Sequence, residues 1–129
     1  MTRRSAPFGL LLFLLSACSA PEPAPVSVQL VSDSGRVAAD VDVVTPVIRG
    51  SNELYVQLTP LNGSEAALVA VDAAMVTHGH RSHADRIDQA DGLFHVGSLE
   101  LFMTGRWLIE LTLEVDGEVD HASLPVDVP

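Results

Sequence analysis

The sequence predicts an all-β fold: an immunoglobulin-like β-sandwich of about seven short antiparallel strands. Period-two alternation is the first reason. Over residues 106–115, Trp107, Ile109, Leu111, Leu113 and Val115 alternate with Leu108, Glu110, Thr112 and Glu114, the pattern of a strand with one face buried. The spacing of turn signals, at intervals of roughly 8–12 residues, is the second and suits a sandwich. The third is that no segment beyond the N-terminal apolar run keeps a helical period, and no internal repeat is visible.

The N-terminus stands apart from that body. Arg3 and Arg4 precede a short apolar run, "FGLLLFLL" at 8–15, too short to span a bilayer as a mature helix and suited to a secretory signal. Leu15, Ser16, Ala17 and Cys18 follow. This run resembles the lipobox of bacterial lipoprotein signal peptides, which implies cleavage after residue 17 and acylation of Cys18. Several acyl chains would hold the protein stably at a membrane, since each buried methylene contributes roughly 0.8 kcal/mol. Ser19 is not the Asp that signals inner-membrane retention in that type of sorting, so a Gram-negative host implies the periplasmic face of the outer membrane. Residues 1–17 are thus expected to be a signal peptide. Residues 18–25, rich in Pro and Ala, read as the lipidated Cys and an extended tether, and 26–129 as the folded domain.

Charge and cysteine usage narrow the chemistry. The chain has 129 residues, 17 acidic side chains and seven basic ones, all Arg. Without Arg3 and Arg4, five Arg against 17 carboxylates leave −12, a body that repels nucleic acid and anionic headgroups and tolerates cations. Cys18 is the single Cys. Once acylated, it leaves the domain with no thiol for a disulfide, for nucleophilic attack or for a metal.

Strands are expected at 26–31, 37–44, 53–59, 66–76, 93–101, 106–115 and 118–128. In 53–59, Leu54, Val56 and Leu58 face one way, with Glu53, Tyr55, Gln57 and Thr59 the other. Asn62-Gly63 and Asp116-Gly117 are hairpin-type dipeptides able to adopt positive φ. Pro125 marks the last strand as an edge strand. Residues 26–51 are expected either to add strands to the sandwich or to pair along one edge. Residues 80–92, "HRSHADRIDQADG", break the alternation and read as the one long polar loop.

From about residue 52 to 128 the chain resembles the YtkA-like / FixH-like family of exported or membrane-anchored β-sandwich domains. Three ordered elements carry the likeness: Met75, His78, Gly79 and His80; Gly92 with Phe94; and Phe102, Met103, Gly105 and Trp107. Val76 stands where the family usually has Pro, and Phe94 where it commonly has Tyr. The resemblance implies a sandwich and, more loosely, a place beside copper-dependent membrane enzymes or copper-handling proteins.

Residues 75–83 hold one Met and three His. Thioether with neutral imidazole suits cuprous copper, and imidazole alone suits cupric copper. On an extended backbone, His78 and His80 would share one face about 7 Å apart. Met75 would face the other side unless the chain bends near Gly79. His83 would have to fold back from the polar loop, and Met103 and His95 would approach only if later strands bring them. The candidate metal ligands are therefore His78, His80, Met75, His83 and Met103. Bland readings stand beside this: Met75 and Met103 as core filler, Gly79 as a corner residue, and His121 as a solvated strand residue. A zinc set of His78, His80, His83 and Asp85 matches no defined spacing. Asp85, Asp88 and Asp91 recur every three residues, whereas calcium loops of the EF-hand type need every two. No constellation for acyl, phosphoryl or metalloprotease chemistry is present, so the expectation is a non-enzyme. It either handles copper, beside a copper-dependent membrane enzyme, or docks another envelope protein without a ligand.

Overall fold

The computed structural model describes residues 26–44 and 46–129, so the signal segment, Cys18 and the tether lie outside the described residues. The described chain is all β and forms two antiparallel sheets packed face to face. In chain order the strands are β1 (Val26–Val31), β2 (Val37–Val43), β3 (Gly50–Pro60), β4 (Ala66–Met75), β5 (His80–His83), β6 (Arg86–Ala90), β7 (Leu93–Leu101), β8 (Gly105–Val115) and β9 (Glu118–Val128). One sheet runs β1-β2-β3-β7-β6 and the other β5-β4-β8-β9. Among the described residues there are nine strands rather than about seven.

The extra pair comes from residues 80–92, expected to be a loop. They form β5 and β6, the outermost strands of the two sheets, with 84–85 crossing between them. An edge strand is paired on one side only, so its exposed positions carry Arg, His and Asp and the alternation is lost. The signal that finds β6 is Asp91-Gly92, with φ of 52° and 78°, which closes a two-residue hairpin at the Ala90–Leu93 pair. Asp116-Gly117 does the same between β8 and β9. Asn62-Gly63 also has positive φ at both residues, yet it lies in the connection from β3 to β4, which changes sheets. Residues 26–51 supply β1 at an edge and β2 inside it. Pro125 sits on edge strand β9, paired with Leu108.

The core lies between the sheets, where the alternating sets of β2, β3, β7 and β8 meet. Trp107, Ile109, Leu111, Leu113 and Val115 are all buried, as are Val37, Ala39, Val41, Leu54 and Val56. Two buried polar side chains hold the connections. Asn52 accepts the Ile48 amide at 2.9 Å and donates to the carbonyls of Ile48 and Gly50 at 2.8 and 2.9 Å. That satisfies a buried amide and fixes the turn into β3. Asp120 on β9 accepts the Ser34 amide at 3.2 Å, the Ser34 hydroxyl and its neighbour's amide at 2.9 Å. Burial alone would raise its pKa, but the hydrogen bonds to Ser34, Ser32 and the backbone outweigh it and lower the value to about 2. This carboxylate ties the β1–β2 turn to β9.

Candidate functional site

The Met/His segment forms the β4–β5 hairpin. Residues 76–79 make one helical turn, with the amides of His78 and Gly79 donating to the Met75 carbonyl at 3.3 and 3.0 Å. Gly79 closes it at φ 65°, a left-handed conformation that costs glycine little. His78 is therefore in a turn and not on an extended strand. The turn, rather than strand alternation, brings its ring to 6.2 Å from that of His80, centre to centre. Two imidazoles sharing an ion at about 2.0–2.1 Å per nitrogen have ring centres roughly 5–6 Å apart.

The same turn settles where Met75 lies. It pairs directly with His80 across β4 and β5, and cross-strand partners share a face with Cβ atoms about 4.5–5.5 Å apart. Met75 is buried, and its methyl reaches Gly105 on β8. His80 is half-buried at the open edge of the sandwich, while His78 is exposed. Met75 is thus both core filler and the neighbour of an accessible imidazole.

The β7–β8 loop, residues 102–104, covers this edge. Phe102 meets His80 edge-on at 5.3 Å and Trp107 edge-on at 5.2 Å, an arrangement aromatic rings favour. Buried Trp107 donates its indole N–H to the Met103 carbonyl at 3.0 Å. Met103 itself is 36% exposed and is no core residue. The row His78, His80, Phe102, Trp107 ties the hairpin to the loop. The sequence places Trp107 in a strand core and in the same motif element as Phe102; contact between them, and with His80, needed the tertiary fold.

The remaining candidates lie elsewhere. His83 is three positions from His80 on β5 and so faces the outside of the sheet. There its Nδ1 stands 3.6 Å from an oxygen of Asp72, its cross-strand partner. His95 is on the outer face of the other sheet, stacked on Tyr55 at 4.8 Å and 3.4 Å from Glu53. His121 lies on β9 with its side chain 43% exposed, and its buried Nδ1, 3.9 Å from an oxygen of Glu110, has no hydrogen-bond partner. Among the described residues, no three His, Cys, Asp or Glu side chains gather closely enough to hold an ion. The zinc set with His83 and Asp85 is accordingly not assembled. The rings of His78 and His80 are neighbours, Met75 is the cross-strand partner of His80, and Met103 is in the adjoining loop.

No family model and no curated protein matches the chain. Among solved structures it is similar to the crystal structure of a DUF4426 family protein from Pseudomonas aeruginosa PAO1. That similarity has a TM-score of 0.45 and 17% identity, and covers 73% of this chain and 91% of the other.

Proposed function

We propose that the chain is an exported lipoprotein, anchored through acylated Cys18, whose sandwich binds or passes copper at the β4–β5 hairpin. The observation that carries the copper reading is the register of Met75 against His80, with the His78 ring beside it. Two imidazoles and a thioether are donors suited to cuprous copper, and a lone thioether in so apolar a surrounding favours the softer ion. The YtkA-like / FixH-like reading is supported by the way its motif residues meet. Met75, His80, Phe102, Gly105 and Trp107 come from separate stretches and converge at one edge. The immunoglobulin-like reading is supported by strand order, since β2-β3-β7-β6 and β5-β4-β8-β9 follow the A-B-E-D and C′-C-F-G arrangement. The partner under this reading is a copper-dependent membrane enzyme or another envelope protein. The chemistry is binding, without catalysis.

A cuprous-copper competition titration on the chain from residue 19 onward tests it, with a His78→Ala/His80→Ala variant alongside. All nine strands lie within that span. Stoichiometric binding that outcompetes a moderate chelator and vanishes in the folded variant supports copper handling. No binding by the parent chain retires it.

A second reading, a ligand-free docking module, is favoured by an apolar recess of about 170 Å³ beside the hairpin. Val76, Thr77, Arg106, Trp107, Leu108 and Pro125 line it. Under that reading the double variant leaves envelope-partner binding unchanged.

A further inference from the structure

The two ends of the sandwich differ sharply in chemistry. At one end lie the described residues of the β2–β3 connection (44 and 46–49), the β4–β5 turn (76–79) and the β7–β8 loop (102–104). Register places them together: Gly50 pairs with Leu101, Met75 with His80, and Gly105 with Val128. Of nine large apolar side chains exposed among the described residues, five are in these three loops: Val44, Ile48, Val76, Phe102 and Met103. Val76 is 80% exposed. None of the three segments contains Asp or Glu, although the chain has 17. The nearest carboxylates are on strands, and one of them, Asp127, is held by Arg106 through two 3.0 Å hydrogen bonds.

The opposite end is acidic. Its four connections, at 32–36, 61–65, 91–92 and 116–117, contain Asp33, Glu65, Asp91 and Asp116 respectively. Arg36 answers Asp116 and Glu118 there, leaving the end negative.

β1 begins at the apolar end, because Val26 pairs with Val43. Seven residues lie between Cys18 and Val26, and the eight steps from one to the other span at most about 29 Å fully extended. An anchor at Cys18 therefore keeps this end near the bilayer, while the far end is a strand's length away, roughly 36 Å for eleven residues.

We propose that the apolar end is a membrane-seating surface. Val44, Ile48, Val76, Phe102 and Met103 rest in the headgroup region of the bilayer that holds Cys18. This rests on the lipoprotein reading above. Repulsion between anionic headgroups and the acidic body acts over a Debye length of about 8 Å and disfavours every approach but that of the end whose three loops carry no Asp or Glu. Five apolar side chains give the shallow insertion expected of an interfacial contact, about 5–10 Å deep, and add to the lipid anchor rather than replace it. The surface also places the Met/His hairpin at the membrane.

The test uses the full chain, processed in a bacterial host and reconstituted into vesicles of phosphatidylethanolamine and phosphatidylglycerol. Two variants, Val76→Cys and Val119→Cys, are labelled with an environment-sensitive fluorophore. Both positions are exposed valines, Val119 being at the acidic end and 69% exposed, and once Cys18 is acylated each new thiol is the only free one. We expect blue-shifted emission at position 76, with quenching by headgroup-nitroxide lipid about threefold or more that at position 119. Equal quenching at both positions in protein shown by mass spectrometry to be acylated overturns the seating surface alone, including the case where a membrane protein covers this end instead. Absence of the acyl mass on Cys18 overturns the lipoprotein reading and this proposal with it.

Discussion

The methyl carbon of Met75 stands 2.9 Å from where a Cβ would sit on Gly105. The two residues are on neighbouring strands at the edge that carries His80, and Gly105 has φ of +123°, which L side chains rarely adopt. The backbone conformation is what favours glycine here, and a Cβ would in addition have to displace the Met75 methyl, the flexible end of its side chain.

Gly105→Ala is expected to destabilise the domain by about 2 kcal/mol, through positive-φ strain and displacement of the Met75 methyl. Combining it with Met75→Ala should recover part of that cost, because contacting sites couple. Denaturant midpoints for the two single variants and the double variant measure the coupling. Strictly additive values would mean that the strain is in the backbone alone.

Met75→Leu separates packing from ligation. A volume-conserving core exchange usually costs under about 1.5 kcal/mol, so the domain should stay folded. If the thioether binds cuprous copper, affinity in the chelator competition should drop by roughly tenfold or more, the loss of about 1.4 kcal/mol. His83→Ala should leave the same affinity within about twofold, since His83 faces the other side of the sheet beside Asp72. Equal losses in both variants would contradict this placement of the donors.

Asp120 predicts a pH dependence of stability. Its carboxyl is lowered from 3.8 to about 2 in the folded chain, so folding favours the ionised form. The stabilisation is fully present above the unfolded value near 4 and is lost as pH falls through about 2. A shift of this size corresponds to roughly 2 kcal/mol. Asp120→Asn should lower stability at pH 7, and the gap to the parent chain should close between pH 4 and 2, read by chemical denaturation across that range. A gap that stays constant with pH would assign the effect to packing.

Trp107→Phe removes the indole N–H that reaches the Met103 carbonyl at 3.0 Å and leaves a void in the core. Together these should cost about 2–3 kcal/mol and release the loop that carries Phe102 against His80. Thermal melts measure the first effect. Faster amide exchange confined to residues 102–104 would show the second.

By itself the sequence determined the sandwich and most of its strands. Burial of one sheet face forces period-two alternation on β2, β3, β4 and β8, and a two-residue hairpin demands positive φ, which Asp116-Gly117 announces. Polar edge strands carry neither signal. With one face in solvent and one side unpaired, β5 and β6 are free to hold Arg, His and Asp and resemble a loop. Only the tertiary structure decided the histidine end. A helical turn at 76–79 replaced the extended spacing, set His78 beside His80 and Met75 across from it, and sent His83 to the outer face. Contacts between residues 80, 102 and 107 depend on which strands pair across the sandwich, and no local pattern encodes that pairing.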